Sequence, residues 1–183
     1  MPEPIEFHSV EALGAGAVGE PGQRAFYLQA RSESAQLTVL LEKEQVALLA
    51  AEAIAFLDRI AEQYPEDPIT LPASVAELKE PTVPLFRARP IGLGFDPERE
   101  LVLIELRERA DEAVDEDDEQ RGLDRPPRPI DEEEGYVARI YATRPQVRAM
   151  AARGAVAVAA GRPPCDLCGQ PIDPTGHRCP RWN

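Results

Sequence analysis

The chain has 183 residues, 43% of them apolar, and a formal net charge of −13, enough for one hydrophobic core with a small appendage; no run of eighteen uncharged apolar residues is there to cross a membrane. The start Met1-Pro2-Glu3-Pro4 has neither the basic region nor the apolar run of a secretion signal, and all three cysteines crowd the C-terminal end instead of spreading as a disulfide framework would. A soluble, cytoplasmic protein in a reducing compartment is expected.

Taken in chain order, Val10 to Val18 reads as extended, Gly19-Glu20-Pro21-Gly22 as a turn, and Arg24 to Arg31 as a strand with Phe26, Leu28 and Ala30 on one face. Past the polar tip Ser32-Glu33-Ser34, Leu37 to Glu42 is a third strand with Leu37, Val39 and Leu41 on one side and Leu40 on the other. The period then changes to three and four. Val46, Leu49, Ala53, Leu57 and Ile60 mark a helix from Glu44 to Gln63 with its apolar stripe toward a sheet. Residues 64–84 carry Pro65, Pro68, Pro72, Pro81 and Pro84, too many for a regular element, and read as a linker over the surface with a short helical turn near Ser74 to Lys79.

The same order recurs in the second half. Pro84 to Leu93 reads as extended, Phe95-Asp96-Pro97-Glu98 as a turn, Leu101 to Arg107 and Tyr136 to Thr143 as strands, and Gln146 to Ala160 as an Ala-rich helix. The strand-to-helix junctions correspond, Glu44-Gln45-Val46 against Pro145-Gln146-Val147, and Thr143 with Gln146 has the spacing of a capping box with Pro145 in the tolerated first turn. The predicted fold is α+β: two βββα repeats with approximate two-fold pseudo-symmetry plus a small C-terminal zinc knuckle. Residues 1–63 form the first repeat, 64–83 the Pro-rich linker, 84–160 the second repeat with an acidic insertion at 108–134, and 161–183 the knuckle. The insertion carries Asp115-Glu116-Asp117-Asp118-Glu119 and Asp131-Glu132-Glu133-Glu134, and is expected to be a solvated, mobile hairpin extension, with a dock for a basic partner or an intramolecular cover for the basic tail as the alternatives.

Charge is unevenly spread, at −9 over residues 1–104, −9 over 105–134 and +5 over 135–183. The body would repel a phosphate backbone, so nucleic acid is expected to bind, if at all, only through the C-terminal tail.

The chemistry lies in that tail. In Cys165-Asp166-Leu167-Cys168-Gly169 two thiolates can grip one ion while the glycine permits a tight turn. The second ligand pair is assigned to His177 and Cys179, whose spacing aims both side chains one way on extended backbone. In many zinc ribbons this half is a second Cys-x-x-Cys, whose last member would fall at Trp182, so His177 is promoted in its place, with water or Asp173 left open as the fourth ligand. Four protein ligands close a tetrahedron and make the ion structural, because catalytic zinc keeps a position for water. One structural zinc ion is expected, although spacing leaves iron open. A redox dithiol at Cys165 and Cys168 would more naturally open a helix in a thioredoxin-like unit, and no such context is present.

The stretch from Gly16 to Arg31, Leu41-Glu42-Lys43-Glu44-Gln45-Val46, Gly92-Leu93-Gly94-Phe95-Asp96 and the ending from Pro164-Cys165 to Cys179-Pro180 resemble an uncharacterised bacterial protein family, a domain of unknown function. The resemblance spans nearly the whole chain; it implies that the four metal residues act as a unit, and it transfers no activity.

Apart from His177, the one neutral-pH acid or base is His8, near the N-terminus, where exposure or a core-capping role is expected. Phosphate-loop, serine-elbow and dinucleotide fingerprints are missing from the sequence. Asp96 with Glu105-Leu106-Arg107 faintly resembles the carboxylates and cation of metal nucleases, but an exposed edge charge explains Glu105 equally well. No catalytic residue is assigned. The reading leans toward a non-catalytic protein-binding or adaptor module. Nucleic-acid binding through Arg178, Arg181 and Trp182, and an enzyme with its site between the repeats, are the alternatives.

Overall fold

The computed structural model describes residues 3–67, 69–108, 135–173 and 175–181. The acidic insertion, apart from Glu108, and Trp182 lie outside the described residues. The protein is a mixed α+β fold of two four-stranded sheets and two helices, with a Cys/His cluster at the C-terminal end.

The expected strands form close to their predicted bounds. In the first sheet β2 (Ala12–Val18), β3 (Ala25–Arg31) and β4 (Gln36–Leu41) make an antiparallel meander, with Phe26 opposite Leu41, Leu28 opposite Val39 and Ala30 opposite Leu37. In the second, β6 (Ile91–Asp96), β7 (Leu101–Arg107) and β8 (Val137–Ala142) make another, with Val102 opposite Ala142, Ile104 opposite Ile140 and Leu106 opposite Ala138. Alternation puts each of these twelve side chains on the inner face, where all are buried.

Each sheet has a fourth strand that the sequence pattern does not announce. The short strand β1 (Ile5–Phe7) runs parallel to β8, and β5 (Phe86–Arg87) runs parallel to β4. The stretch from Pro84 to Leu93, predicted as one extended element, is therefore two strands on different sheets. Three and two residues respectively are too few to show a period.

Helix α1 (Lys43–Gln63) buries the predicted stripe Val46, Leu49, Ala53, Leu57 and Ile60, with Ala50 added. Helix α2 (Arg144–Ala159) buries Val147, Met150, Ala151 and Gly154. Both begin with a capping box: the Glu42 and Thr143 side chains accept the N–H groups of Gln45 and Gln146, whose side chains return to the cap backbone at 2.8 and 2.9 Å. The helices run antiparallel, with Arg144 beside Tyr64 at one end and Gly161 beside Lys43 at the other. They meet each other and β2 at Gly154, where an added Cβ would lie 3.2 Å from Val46, 3.4 Å from Ala15 and 4.0 Å from Ala50. One continuous apolar core collects side chains from both sheets and both helices. No helix among the described residues is long and apolar enough to cross a membrane.

The Pro-rich stretch does more than pass over the surface. It covers the outer face of the first sheet, with its one helical turn, Ala73–Ala76, against β2. Gln29, 1% exposed, donates to the Lys79 carbonyl and accepts the Lys79 N–H, both at 2.8 Å, so a side chain satisfies main-chain groups as a strand would. The contact is so close that a Cβ on Gly14 would stand 2.6 Å from the Ala76 carbonyl oxygen. Gly14→Ala is therefore expected to destabilise the chain by about 1–3 kcal/mol in urea denaturation, whereas Gly94→Ala, whose Cβ would meet only the Leu103 side chain at 3.6 Å or more, should cost much less.

Candidate metal centre

Two tight turns build the site. In the first, Gly169 donates to the Cys165 carbonyl and Cys165 to the Gln170 carbonyl, each at 2.8 Å, and Pro164 and Pro171 face each other as an antiparallel bridge. In the second, Gly176 donates to the Asp173 carbonyl at 2.9 Å. Gly169 and Gly176 have φ of +72° and +103°, and a Cβ at either would meet nothing within 4 Å. Backbone conformation, not space, demands glycine there. Each glycine sits beside a predicted ligand, Gly169 directly after Cys168 and Gly176 directly before His177.

Together the turns bring Cys165, Cys168, His177 and Cys179 into one group whose ligand atoms all lie within 4.8 Å of one another. His177 and Cys179 do so from irregular backbone, not from the extended strand expected of them. The four residues are close enough to bind a metal ion. Cys165 Sγ and Cys179 Sγ are 3.8 Å apart, and two thiolates at ~2.3 Å from one tetrahedral ion would be separated by about 3.8 Å. The Cys168 Sγ to His177 Nε2 distance, 3.1 Å, is shorter than the corresponding sulfur–nitrogen edge of about 3.6 Å, so that side of the group would open slightly around an ion.

Electrostatics prepares one thiolate. The backbone N–H groups of Cys168 and then Leu167 point at Cys165 and bring its thiol down to about 6. Desolvation instead raises Cys168. Cys179 is buried, while Cys165, Cys168 and His177 are half-buried. Asp173, left open as a substitute ligand, forms an ion pair with Arg162.

The other sequence candidates do not assemble. Asp96 accepts the N–H groups of Glu98 and Arg99 as a turn cap at 3.0 and 3.2 Å. It lies opposite Leu101 and Glu105 opposite Gly92, about 13 Å apart along the strands. The Glu105 carboxylate, held below its ordinary range first by its hydrogen bond from Arg139, bonds Arg139 and Arg107 at 2.9 Å each, and Arg139 also reaches Glu6. That is a surface charge network with no vacancy for a metal pair. His8 is exposed, its Nε2 3.5 Å from Glu6 and its ring against Tyr141. Sequence reasoning missed a cleft beside the Cys/His group, lined by Arg24, Lys43, Arg87 and Arg162, because these cations are dispersed along the chain and the fold alone gathers them.

A family described as a protein of unknown function, DUF3090, matches residues 5–179. No curated protein and no solved structure matches the chain.

Elemental analysis of the purified protein is expected to find about one equivalent of a thiophilic metal. Cys179→Ser should lose it while far-UV circular dichroism of the sheets and helices is retained. A metal-free wild-type protein, purified without chelator, would remove the centre.

Proposed function

We propose, for a chain that belongs to the DUF3090 family of proteins of unknown function, that its Cys/His group holds one structural zinc ion and that the protein is a non-catalytic protein-binding or adaptor module presenting this zinc knuckle. The observation that carries the reading is the composition of the group: three sulfurs and one imidazole nitrogen, all from the protein and gathered within 4.8 Å of one another, which around one ion would fill a tetrahedron and leave no position for water. A soft, mixed sulfur and nitrogen donor set favours zinc. The same donors explain why Cys165 and Cys168 act as ligands and not as a redox pair, since both are committed to one point in space with His177 and Cys179.

The repeat reading has its own support. Each meander leads into a helix with glutamine at the third position, and in both cases that glutamine reaches the backbone just before a first meander strand. Gln45 donates to Ala88 and Arg89, and Gln146 to Val10. Glu11 donates to Arg31 and Arg89 to Arg107, the same bond at the same register in each half. We read the body as a duplicated βββα unit in which the strand preceding each meander has been exchanged into the other sheet. Where the halves meet at Gly154 the neighbours are Val46, Ala15 and Ala50. An apolar contact there leaves no room for a catalytic cleft at that point between the helices.

Capture experiments test the adaptor. The wild-type chain is expected to retain a stoichiometric protein partner that Cys165→Ser with Cys168→Ser fails to retain. Retention of nucleic acid instead, weakening steeply with salt and abolished by Arg178→Glu with Arg181→Glu, would transfer the function to the basic tail. Capture of neither, with metal present, sinks the adaptor reading.

A further inference from the structure

Beside the Cys/His group, a cleft of about 450 Å³ opens between the residues that follow α2 and the beginning of α1. Its lining includes Arg24 from the start of β3, Lys43 from the first turn of α1, Arg87 from β5 and Arg162, with Phe26 and Pro171 among its apolar walls. Four cations and two carboxylates, Glu42 and Glu44, face it. Glu42 is tied to Arg87, and Arg162 is tied to Asp173.

Among the described residues, Arg24 and Lys43 have no such carboxylate. Arg24 donates to the Ala157 carbonyl at 3.0 Å and lies over the Phe26 ring, 5.4 Å from its centre. The Lys43 side chain has no hydrogen-bond or ion-pair partner among the described residues. Yet the two cations converge: a Cβ added at Gly161 would stand 3.4 Å from both Arg24 Nη2 and Lys43 Nζ. Two positive groups held this near each other repel, although Lys43 is exposed, and an anion between them would relieve the repulsion. Lys43 opens a 21-residue helix, whose positive end adds to the same field. The carbonyls at the C-terminal end of α2 offset part of this charge, through one hydrogen bond to Arg24. Those carbonyls leave Lys43 unengaged.

We propose that this cleft binds an organic phosphate, with its anionic group between Arg24 and Lys43 and its uncharged part over Phe26 and Pro171. The volume is that of a small-molecule site and exceeds what a bare phosphate fills. The phosphate position rests on Arg24 and Lys43, which the body of the fold places without a metal, while Pro171 belongs to the segment that carries the Cys/His group; the proposal adds a ligand site to the adaptor reading.

The test is titration of the full chain, as purified, with inorganic phosphate, pyrophosphate and adenosine monophosphate at fixed ionic strength, followed by calorimetry and by amide shifts of Gly22 and Gly161. Saturable binding below ~1 mM is expected, tighter for adenosine monophosphate than for inorganic phosphate. Lys43→Gln should weaken it about tenfold by removing one charge-assisted hydrogen bond, Glu44→Gln should strengthen it, and Gly161→Leu should block it. Should Lys43 serve only to balance the end of α2, Lys43→Gln would lower the melting temperature and leave the titrations unchanged, which overturns the proposal. No saturation, or equal response to potassium chloride, overturns it too, as does equal affinity for inorganic phosphate and adenosine monophosphate. Because metal content is measured separately, loss of the cleft's ligand and loss of the metal centre are distinguishable.

Discussion

Neither sheet of this protein is completed by the chain segment that forms its meander. β1 leaves the first meander's side of the sequence to lie against β8, and β5 leaves the second's to lie against β4. Each of these two strands is only two or three residues long and contributes little by its own ladder. What fixes the chain around it is the glutamine at the third position of each helix, Gln146 donating to Val10 at 2.7 Å and Gln45 to Ala88 and Arg89 at 3.2 and 2.8 Å. The same two side chains close the capping boxes. One residue thus sets where a helix starts and where the neighbouring sheet receives its edge, so helix registry and sheet closure are coupled in both halves.

The antiparallel helix pair sets the carbonyl end of each helix beside the start of the other. Neither helix has a basic residue in its own last turn, and each carbonyl end receives an arginine from elsewhere. Arg144, 4% exposed, donates to Tyr64 at the end of α1, sits beside Glu66 at 3.4 Å and lies over the Phe95 ring. Arg24 donates near the end of α2. The two ends then differ. At the Arg144 end the cation is buried and matched by a carboxylate; at the Arg24 end a second cation, Lys43, enters an open cleft. Packing asymmetry at Gly154, which β2 and α1 both approach, holds the helices close enough for these ends to be distinct.

Much of this fold was legible in the sequence where a period runs long enough to repeat. Leu37, Val39 and Leu41 alternate, Val46 through Ile60 recur at three and four, and Thr143 with Gln146 announces a cap; each of these is where the pattern puts it. The two short strands were illegible because two or three residues have no period, and their partners lie some fifty to one hundred and thirty residues away in the chain. Gln29 is buried on the face opposite Phe26, Leu28 and Ala30, and nothing in a β-pattern shows that a proline-rich stretch will cover that second face. The metal group was legible for a different reason. Its ligands are crowded into a segment with Gly169 and Gly176 at the turns, so local spacing carried the geometry. The cationic cleft draws on residues 24, 43, 87 and 162, and only tertiary structure could assemble it.

The segment after α2 explains why the Cys/His group and the cleft lie side by side. From Gly161 onward the sequence offers Leu167, Ile172 and Trp182 as its large apolar residues, and Leu167 is 51% exposed. So few cannot bury a core of their own, and in so short a unit the free energy that orders the backbone has to come from elsewhere. On the zinc reading, metal binding is that source, because ligand capture and folding are one event in such modules. The turns at Gly169 and Gly176 then acquire fixed positions, and with them Arg162 and Pro171, which form one wall of the cleft. The opposite wall, Arg24, Phe26 and Lys43, is set by the first sheet and α1 and needs no metal. A cleft with one wall from the core and one from a metal-ordered tail would therefore keep Arg24 and Lys43 in place when the metal is lost and would lose the shape that Arg162 and Pro171 give it.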